Sequence, residues 1–497
     1  MKAYSELETV FRRIGAVDEA ARVLHWDMSV MMPPGGAGAR TEQLAQLRVL
    51  SHEQLTAPRV GDLFDAAEAD PPRDPWQAAN LHEMRRRWRH AVAVDSALVE
   101  AFSKACSRCE MIWREARPKS DFASIATALA EVLALVRETA SAKASALGVS
   151  RYEALLDQFE PQGSTASIDA LFADLAAFLP GFLDKALARQ GRAPAPVEPA
   201  GPFPVEAQRA LAVELMQRLG FDFDHGRLDV SLHPFCSGVP DDVRITTRYD
   251  EDDFLQALMG VLHETGHALY ERGLPAAWRL QPVGDARGMA VHESQSLLVE
   301  MQACRGGEFV AFAAPLMRRA FGGSGPAWSA ENLARLYTRV ERGLIRVEAD
   351  EVTYPAHVIL RYRLERAMID GAMEIADLPA AWKAGMKELL GVDVPDHRRG
   401  CLQDIHWFDG AFGYFPTYTL GALTAAQLFA AAAKANPDIR PAIARGDFAP
   451  LLAWLRENVH GKGSLLSTDA LIREATGQPL GTAAFKAHLE QRYLAEI

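Results

Sequence analysis

Residues 252–275 read DDFLQALMGVLHETGHALYERGLP, and this stretch decides both the fold class and the chemistry. Leu255, Leu258, Met259, Leu262 and Leu269 recur at helical spacing. Asp252 and Asp253 suit the N-terminal end, where a side-chain oxygen caps free amides and a carboxylate complements the macrodipole. Gly273 and Pro275 supply the stop. On such a helix His263 and His267 lie one turn apart on one face, so both imidazoles can reach one ion. Two neutral imidazole nitrogens suit Zn²⁺, and Glu264 between them can serve as a general base. Gly266 lowers helix propensity by about 1 kcal/mol relative to alanine, which a close approach of backbone or substrate would justify. The pattern H-E-x-x-H by itself also arises by chance in long chains.

A catalytic zinc site commonly takes three protein ligands and leaves one position open. Downstream, Val291-His292-Glu293-Ser294-Gln295-Ser296-Leu297 offers two candidates for the third. Glu293 would complete a His₂Glu set from a short helix continuing through Leu298, Val299 and Met301. His292 points about 100° away from it on a helix, so both cannot easily bind one ion. Spacing leans toward Glu293 and leaves His292 open.

Further strings stand around these in order: Trp26-Asp27, Met32-Pro33, His233-Pro234-Phe235 and Asp242-Val243-Arg244-Ile245-Thr246 before the helix. Ile345-Arg346-Val347-Glu348-Ala349-Asp350 and Gly400-Cys401-Leu402-Gln403-Asp404-Ile405-His406-Trp407 follow it. In order and content the chain resembles the thermostable metallocarboxypeptidases, the carboxypeptidase Taq family, over essentially its whole length. The resemblance implies Glu293 as the third ligand beside His263 and His267. It implies Zn²⁺, one per chain with Co²⁺ able to substitute, and a homodimer. The implied activity is release of single C-terminal residues, with broad tolerance, from peptides with a free C-terminus. Glu264 would take the proton of a zinc-activated water and pass it to the leaving amine. His406 and Tyr418 are implied as donors to the developing oxyanion, although spacing alone does not separate Tyr418 from Tyr414.

Arg346 is implied as the anchor of the substrate carboxylate, for which its planar fork is suited. Arg244 and His233 would help around the cleft. Asp350 and Asp404 read equally as supports of the site or as structural ion pairs. One position departs from a wider pattern. In thermolysin-like peptidases an Asp one turn after the ligand Glu orients a zinc-bound His, and here that position is Leu297. Asp285 and Glu300 are the acidic candidates to replace it.

The rest of the chain fits a large enzyme. Its 497 residues are 49% apolar with a formal net charge of −12, which argues against a nucleic-acid partner. No apolar run approaching 20 residues is apparent, so no membrane partner is expected. Met1 to Glu6 leads into a charged amphipathic stretch rather than a secretory signal. Together with five sparse cysteines this suggests a cytoplasmic protein. Cys106 and Cys109 form one C-x-x-C without the second pair that a zinc ribbon needs.

Helices are predicted over 4–24, 41–57, 75–117, 121–146 and 166–189. The Pro-rich segment 191–204 reads as a semi-rigid linker between an N-terminal helical lobe, 1–190, and a zinc-binding catalytic lobe, 205–497. Between residues 228 and 249 alternation predicts a small antiparallel strand pair next to the zinc helix. The expected fold is therefore all-α, a two-lobed zinc peptidase with a deep cleft and a small antiparallel β-element. Two other activities share these features: an oligopeptidase or dipeptidyl carboxypeptidase on the same scaffold, and a non-catalytic peptide-binding protein. The intact Glu264 argues against the last.

Overall fold

Apolar side chains spaced by three and four run through most of the chain, and the computed structural model, which describes residues 2–495, turns them into helices. The first are α1 (Lys2–Val30), α2 (Ala37–Thr56) and α3 (Pro58–Ala69). The single helix expected over 75–117 is two, α4 (Pro75–Val92) and α5 (Ser96–Lys119). Asp95 makes the break: it is extended, and its side chain accepts from the amide of Leu98 to cap a new start. Next come α6 (Phe122–Leu147), α7 (Arg151–Leu156), α8 (Thr165–Gln190) and α9 (Val205–Leu219). By length and composition α8 could cross a membrane, contrary to the expectation that no such run exists. Its Phe172, Leu175, Leu179, Phe182 and Leu183 are nevertheless buried in the core.

The β-element is larger than a hairpin. β1 (Gly226–Val230), β2 (Cys236–Val239) and β3 (Asp242–Thr247) form a sheet in the order β1-β3-β2. β2 and β3 are the expected antiparallel pair, but β1 runs parallel to β3, with Leu228 opposite Ile245. The outer strand escapes the alternation test because Arg227 and Asp229 leave it only two apolar residues. On the central strand Val243 and Ile245 are fully buried.

α10 (Phe254–Gly273) lies against β3, capped by Asp253 alone, whose carboxylate accepts from the amides of Leu255 and Gln256. α11 (Met289–Leu297) continues into a π-helical stretch, Leu298–Cys304. Beyond it stand α12 (Gly307–Ala320), α13 (Ala330–Tyr337), α14 (Tyr354–Asp370), α15 (Leu378–Leu390) and α16 (Pro416–Ala435), and four shorter helices lead to Tyr493. One buried cluster runs from Ala105 to Tyr493 across the Pro-rich segment, and a smaller one joins Tyr4, Leu7, Phe11, Phe64 and Met84.

The start of α11 is gripped by distant parts of the chain. The amide of Met289 donates to Phe159 O at 2.7 Å, and that of Ala290 to the Glu160 carboxylate at 3.0 Å. Thr468 donates to the same carboxylate. The amide of Ser464 donates to Val283 O at 2.8 Å, and His460 Nε2 bonds Gln295 Oε1 at 3.0 Å.

Two carboxylates, the partly buried Asp157 and the buried Glu351, tie remote elements together. Burial opposes the charge on Asp157, but His90 and Arg86 overcome it and hold the group down at about 2. Glu351 is likewise held at about 2, against its burial, by His488 and Arg492. An unfolded chain releases such groups to the ordinary range near 4. Their contribution is therefore present above about pH 4 and lost as pH falls toward 2. The thermal midpoint is expected to drop over that window. Asp157→Asn should lower the midpoint at pH 7 and flatten its acid dependence, as read by calorimetry across pH.

Candidate active site

His263 and His267 emerge one turn apart from α10, and Glu293 meets them from α11; their ligand atoms all lie within 4.8 Å of one another. Two glycines permit this. A Cβ on Gly266 would stand 2.5 Å from Gln295 O and 2.6 Å from the Ser296 Cα, so α10 and α11 touch backbone to backbone. A Cβ on Gly421 of α16 would stand 2.8 Å from the Glu293 side chain, pressing that carboxylate toward the imidazoles.

Each imidazole is oriented from behind. Nδ1 of His263 lies 2.9 Å from Glu300, whose other oxygen accepts from Arg305 at 2.7 Å. Nδ1 of His267 lies 2.7 Å from Nδ1 of His292, and Nε2 of His292 lies 2.8 Å from Glu271. A charged Glu271 accepts from the Nε2–H of His292, leaving the Nδ1 of His292 to accept from His267. Glu300 accepts from the Nδ1–H of His263 in the same way. Nε2 is thus the nitrogen of each ligand imidazole left to face a metal. Nε2 of His267 is 3.7 Å from Glu293, whose carboxylate accepts no hydrogen bond among the described residues although the residue is buried.

This donor set fits a divalent ion: two imidazole nitrogens and a carboxylate, buried and otherwise unsatisfied. Burial and the neighbouring histidines keep His267 neutral. Burial also works against charge on His263, but Glu300 and Glu293 outweigh it and push that imidazole up to about 10, so ion and proton compete for one nitrogen. Glu264 is pushed up to about 7 by burial, with His263 opposing, which suits a group that takes and returns a proton.

A second wall faces the cluster. Arg346 donates from Nε and Nη2 to Asp404 at 3.2 and 2.9 Å and from Nη1 to the Tyr354 hydroxyl at 3.0 Å. Its guanidinium lies 4.9 Å from the Tyr418 ring centroid. Asp404 also receives Arg361, and Gln403 Oε1 accepts from the Arg346 amide and from Arg361. His406 Nε2 is 3.3 Å from the Tyr418 hydroxyl, and its ring stacks 4.5 Å from Phe415. Burial holds His406 down at about 4, with Arg346 and Arg361 adding and Asp404 opposing, so it is neutral at pH 7. Burial pushes Tyr418 up to about 12; Arg346 opposes and the charge of Glu293 adds, which places the wall within electrostatic reach of the metal cluster. Glu365 fixes the loop that carries it, accepting from Tyr152, Trp407 Nε1 and the amide of Gly413 at 2.7, 2.9 and 3.2 Å.

The two expected helpers belong to the small sheet that packs on α10. Arg244 on β3 is paired with Asp242 at 2.6 Å and lies over Trp26, 4.4 Å from the ring centroid. His233 is exposed in the β1–β2 loop, with no side-chain hydrogen bond among the described residues. Asp350 accepts from the amides of Val352 and Thr353 and shapes the turn before α14. Of the two acids proposed in place of Leu297, Glu300 bonds His263, whereas Asp285 pairs with Arg87 at 2.6 Å. Glu271 was not anticipated, although it lies one turn beyond His267 on the same face. His292 was weighed as a ligand, and its part is to orient one. Tyr354, Arg361 and Glu365 carry no local signal, because their partners lie far off in sequence.

The family model for the carboxypeptidase Taq (M32) metallopeptidases matches residues 6–493. Thermostable carboxypeptidase 1 of Thermus thermophilus is 40% identical, over 99% of this chain and 98% of its own. The structure of Trypanosoma cruzi metallocarboxypeptidase 1 superposes with a TM-score of 0.97 at 41% identity, covering 100% of both chains. The M32 carboxypeptidase of Deinococcus radiodurans R1 gives 0.93 at 34%, covering 99% of both.

Two outcomes follow at the cluster. Glu300→Gln should weaken metal binding by about 10- to 100-fold, measured by competition with a chromophoric chelator, because it removes the charged acceptor behind His263. Gly421→Ala should displace Glu293 and lower metal affinity, with about 1–3 kcal/mol lost in unfolding free energy from overpacking.

Proposed function

The chain belongs to the carboxypeptidase Taq (M32) metallopeptidase family, and from that premise and the site we propose that it is a zinc-dependent carboxypeptidase releasing single C-terminal residues with broad tolerance. The observation that carries the reading is the buried His263–His267–Glu293 set with Glu264 beside it and both imidazoles oriented from behind. Zinc, held by these three residues, would supply a Lewis acid for the scissile carbonyl and make water acidic enough to react near neutral pH. Cobalt, equally borderline in ligand preference, would substitute.

The protein's own groups do the rest. Glu264, raised by burial, takes a proton from water and returns it to the leaving amine. His406, neutral and hydrogen-bonded to Tyr418, supports Tyr418 rather than Tyr414 as its partner in donating to the developing oxyanion. Arg346 is already tied to Asp404 through Nε and Nη2, so its contact with a substrate carboxylate runs through Nη1, beside Tyr354, rather than through a free fork. Asp404, itself held by Arg361, keeps that guanidinium charged and still. The family likeness extends the proposal to a cytoplasmic homodimer, which light scattering on the purified protein would test.

Glu264→Gln is expected to lower kcat by about 10²–10⁴ while metal content stays at one ion per chain. Tyr418→Phe should lower kcat by about 10²–10³ with a smaller effect on KM. Mass spectrometry of an N-blocked peptide digest decides the mode of cleavage. Stepwise loss of one residue, abolished by a chelator and restored by zinc, supports the proposal; internal or two-residue cleavage overturns it.

A further inference from the structure

The helix Ala483–Tyr493 packs Phe485 and Leu489 into the core, and its Arg492 reaches two segments on which the site depends. One is the π-helical stretch Leu298–Cys304, which brings Glu300 to the back of His263. The other is the turn before α14, where Glu351 follows Arg346 and Asp350 in the chain.

The π coil is a rare helical form, so a stretch of it calls for a hold from outside. Here the amide of Arg305 donates to Glu300 O at 2.9 Å and that of Gly306 to Ala303 O at 3.1 Å, passing over the carbonyls of Met301 and Gln302. Arg492 takes both: Nη1 donates to Met301 O, and Nη2 to Gln302 O at 3.3 Å. The same Nη1 donates to Glu351 at 3.1 Å, so one planar fork spans two carbonyls and a carboxylate. Glu351 keeps two further partners, His488 Nε2 at 2.6 Å and the Tyr493 hydroxyl at 3.1 Å. Of these three side chains, Arg492 alone hydrogen-bonds the π stretch among the described residues.

Along an α-helix successive side chains turn by about 100°, and along a wider coil by less. The bearing of Glu300 toward His263 therefore depends on the stretch staying wide. If Met301 and Gln302 lose their donor, the favoured course is to rewind toward α geometry, where amides of the coil itself satisfy those carbonyls. The Glu300 carboxylate then swings away from the Nδ1 it now meets.

We propose that Arg492 is a positioning residue for the metal site: by holding the carbonyls of Met301 and Gln302 it keeps this stretch wide, and so keeps Glu300 against His263. The inference rests on the reading of His263, His267 and Glu293 as metal ligands. Arg492 itself acts only through the backbone that carries Glu300.

The test is the zinc affinity of the full chain, by competition with a chromophoric chelator, beside the thermal midpoint of the metal-free protein by calorimetry. Arg492→Gln removes the fork. Arg492→Lys keeps a charge beside Glu351, but a compact ammonium does not span both carbonyls, and this variant carries the test if Arg492→Gln fails to fold. Each is expected to weaken zinc binding about tenfold, the scale for disturbing a group behind a metal-bound imidazole. Tyr493→Phe removes a bond to the same Glu351 and leaves the π stretch alone. It should lower the midpoint and bind zinc like the parent, a split that a general loosening of the helix would not give. The inference is overturned if the folded Arg492 variants bind zinc like the parent, or if Tyr493→Phe weakens zinc as much as they do. In both cases a parent that binds one ion per chain leaves the metal reading standing; a parent that binds none overturns both.

Discussion

At Gly266 the backbone of α11 comes so near α10 that even a methyl group would overlap it, and this contact sets how far Glu293 stands from the two imidazoles. Neither helix could supply a complete ligand set alone. Side chains three or four apart on one helix share a face, but the third donor has to approach from outside, and its distance is decided by helix packing. Gly421 leaves room on α16 for the Glu293 Cβ and Cγ, so α11 is held between two helices that have each given up a side chain to admit it.

The buried charges around this contact are arranged in chains rather than pairs. Glu300 lies between His263 and Arg305, His292 between His267 and Glu271, and Asp404 between Arg346 and Arg361. An isolated buried charge is costly, and breaking a buried pair leaves one behind. His263, His267 and Arg346 are therefore each backed by a group that is itself bonded from behind. The result is a site whose donors are aimed before any ligand arrives, which is what transition-state stabilisation needs.

Much of this was legible in the sequence, and what was not has a physical reason. The zinc helix, its Asp253 cap, its stop at Gly273 and the reason for Gly266 follow from local spacing and turn chemistry. The break between α4 and α5 was missed because apolar periodicity runs through Asp95, and only the cap bond ends it. β1 was missed because a half-buried strand with two charged residues does not alternate. At the site, Leu297 showed that an orienting acid was absent from its usual place. Glu300 supplies it from the π-helical stretch that follows, and Glu271 with His292 does the same for the other imidazole. For Arg244 and His233 a motif records that a residue belongs near a site and not which way its side chain turns. For Arg244 the stacking on Trp26 decides.

The anchoring of α11 has a consequence for the life history of the molecule. Glu160 holds the start of this helix and is itself bonded by Thr468; Val283 O receives the amide of Ser464, and His460 bonds Gln295. Glu293 is therefore fixed only when residues from the middle and from the far end of the chain have met. During synthesis the zinc helix leaves the ribosome well before residues 460–468, and through that interval the nascent polypeptide carries the ligands without the scaffold that aims them. A protease built this way stays unarmed while its own unfolded chain and its neighbours' are nearest.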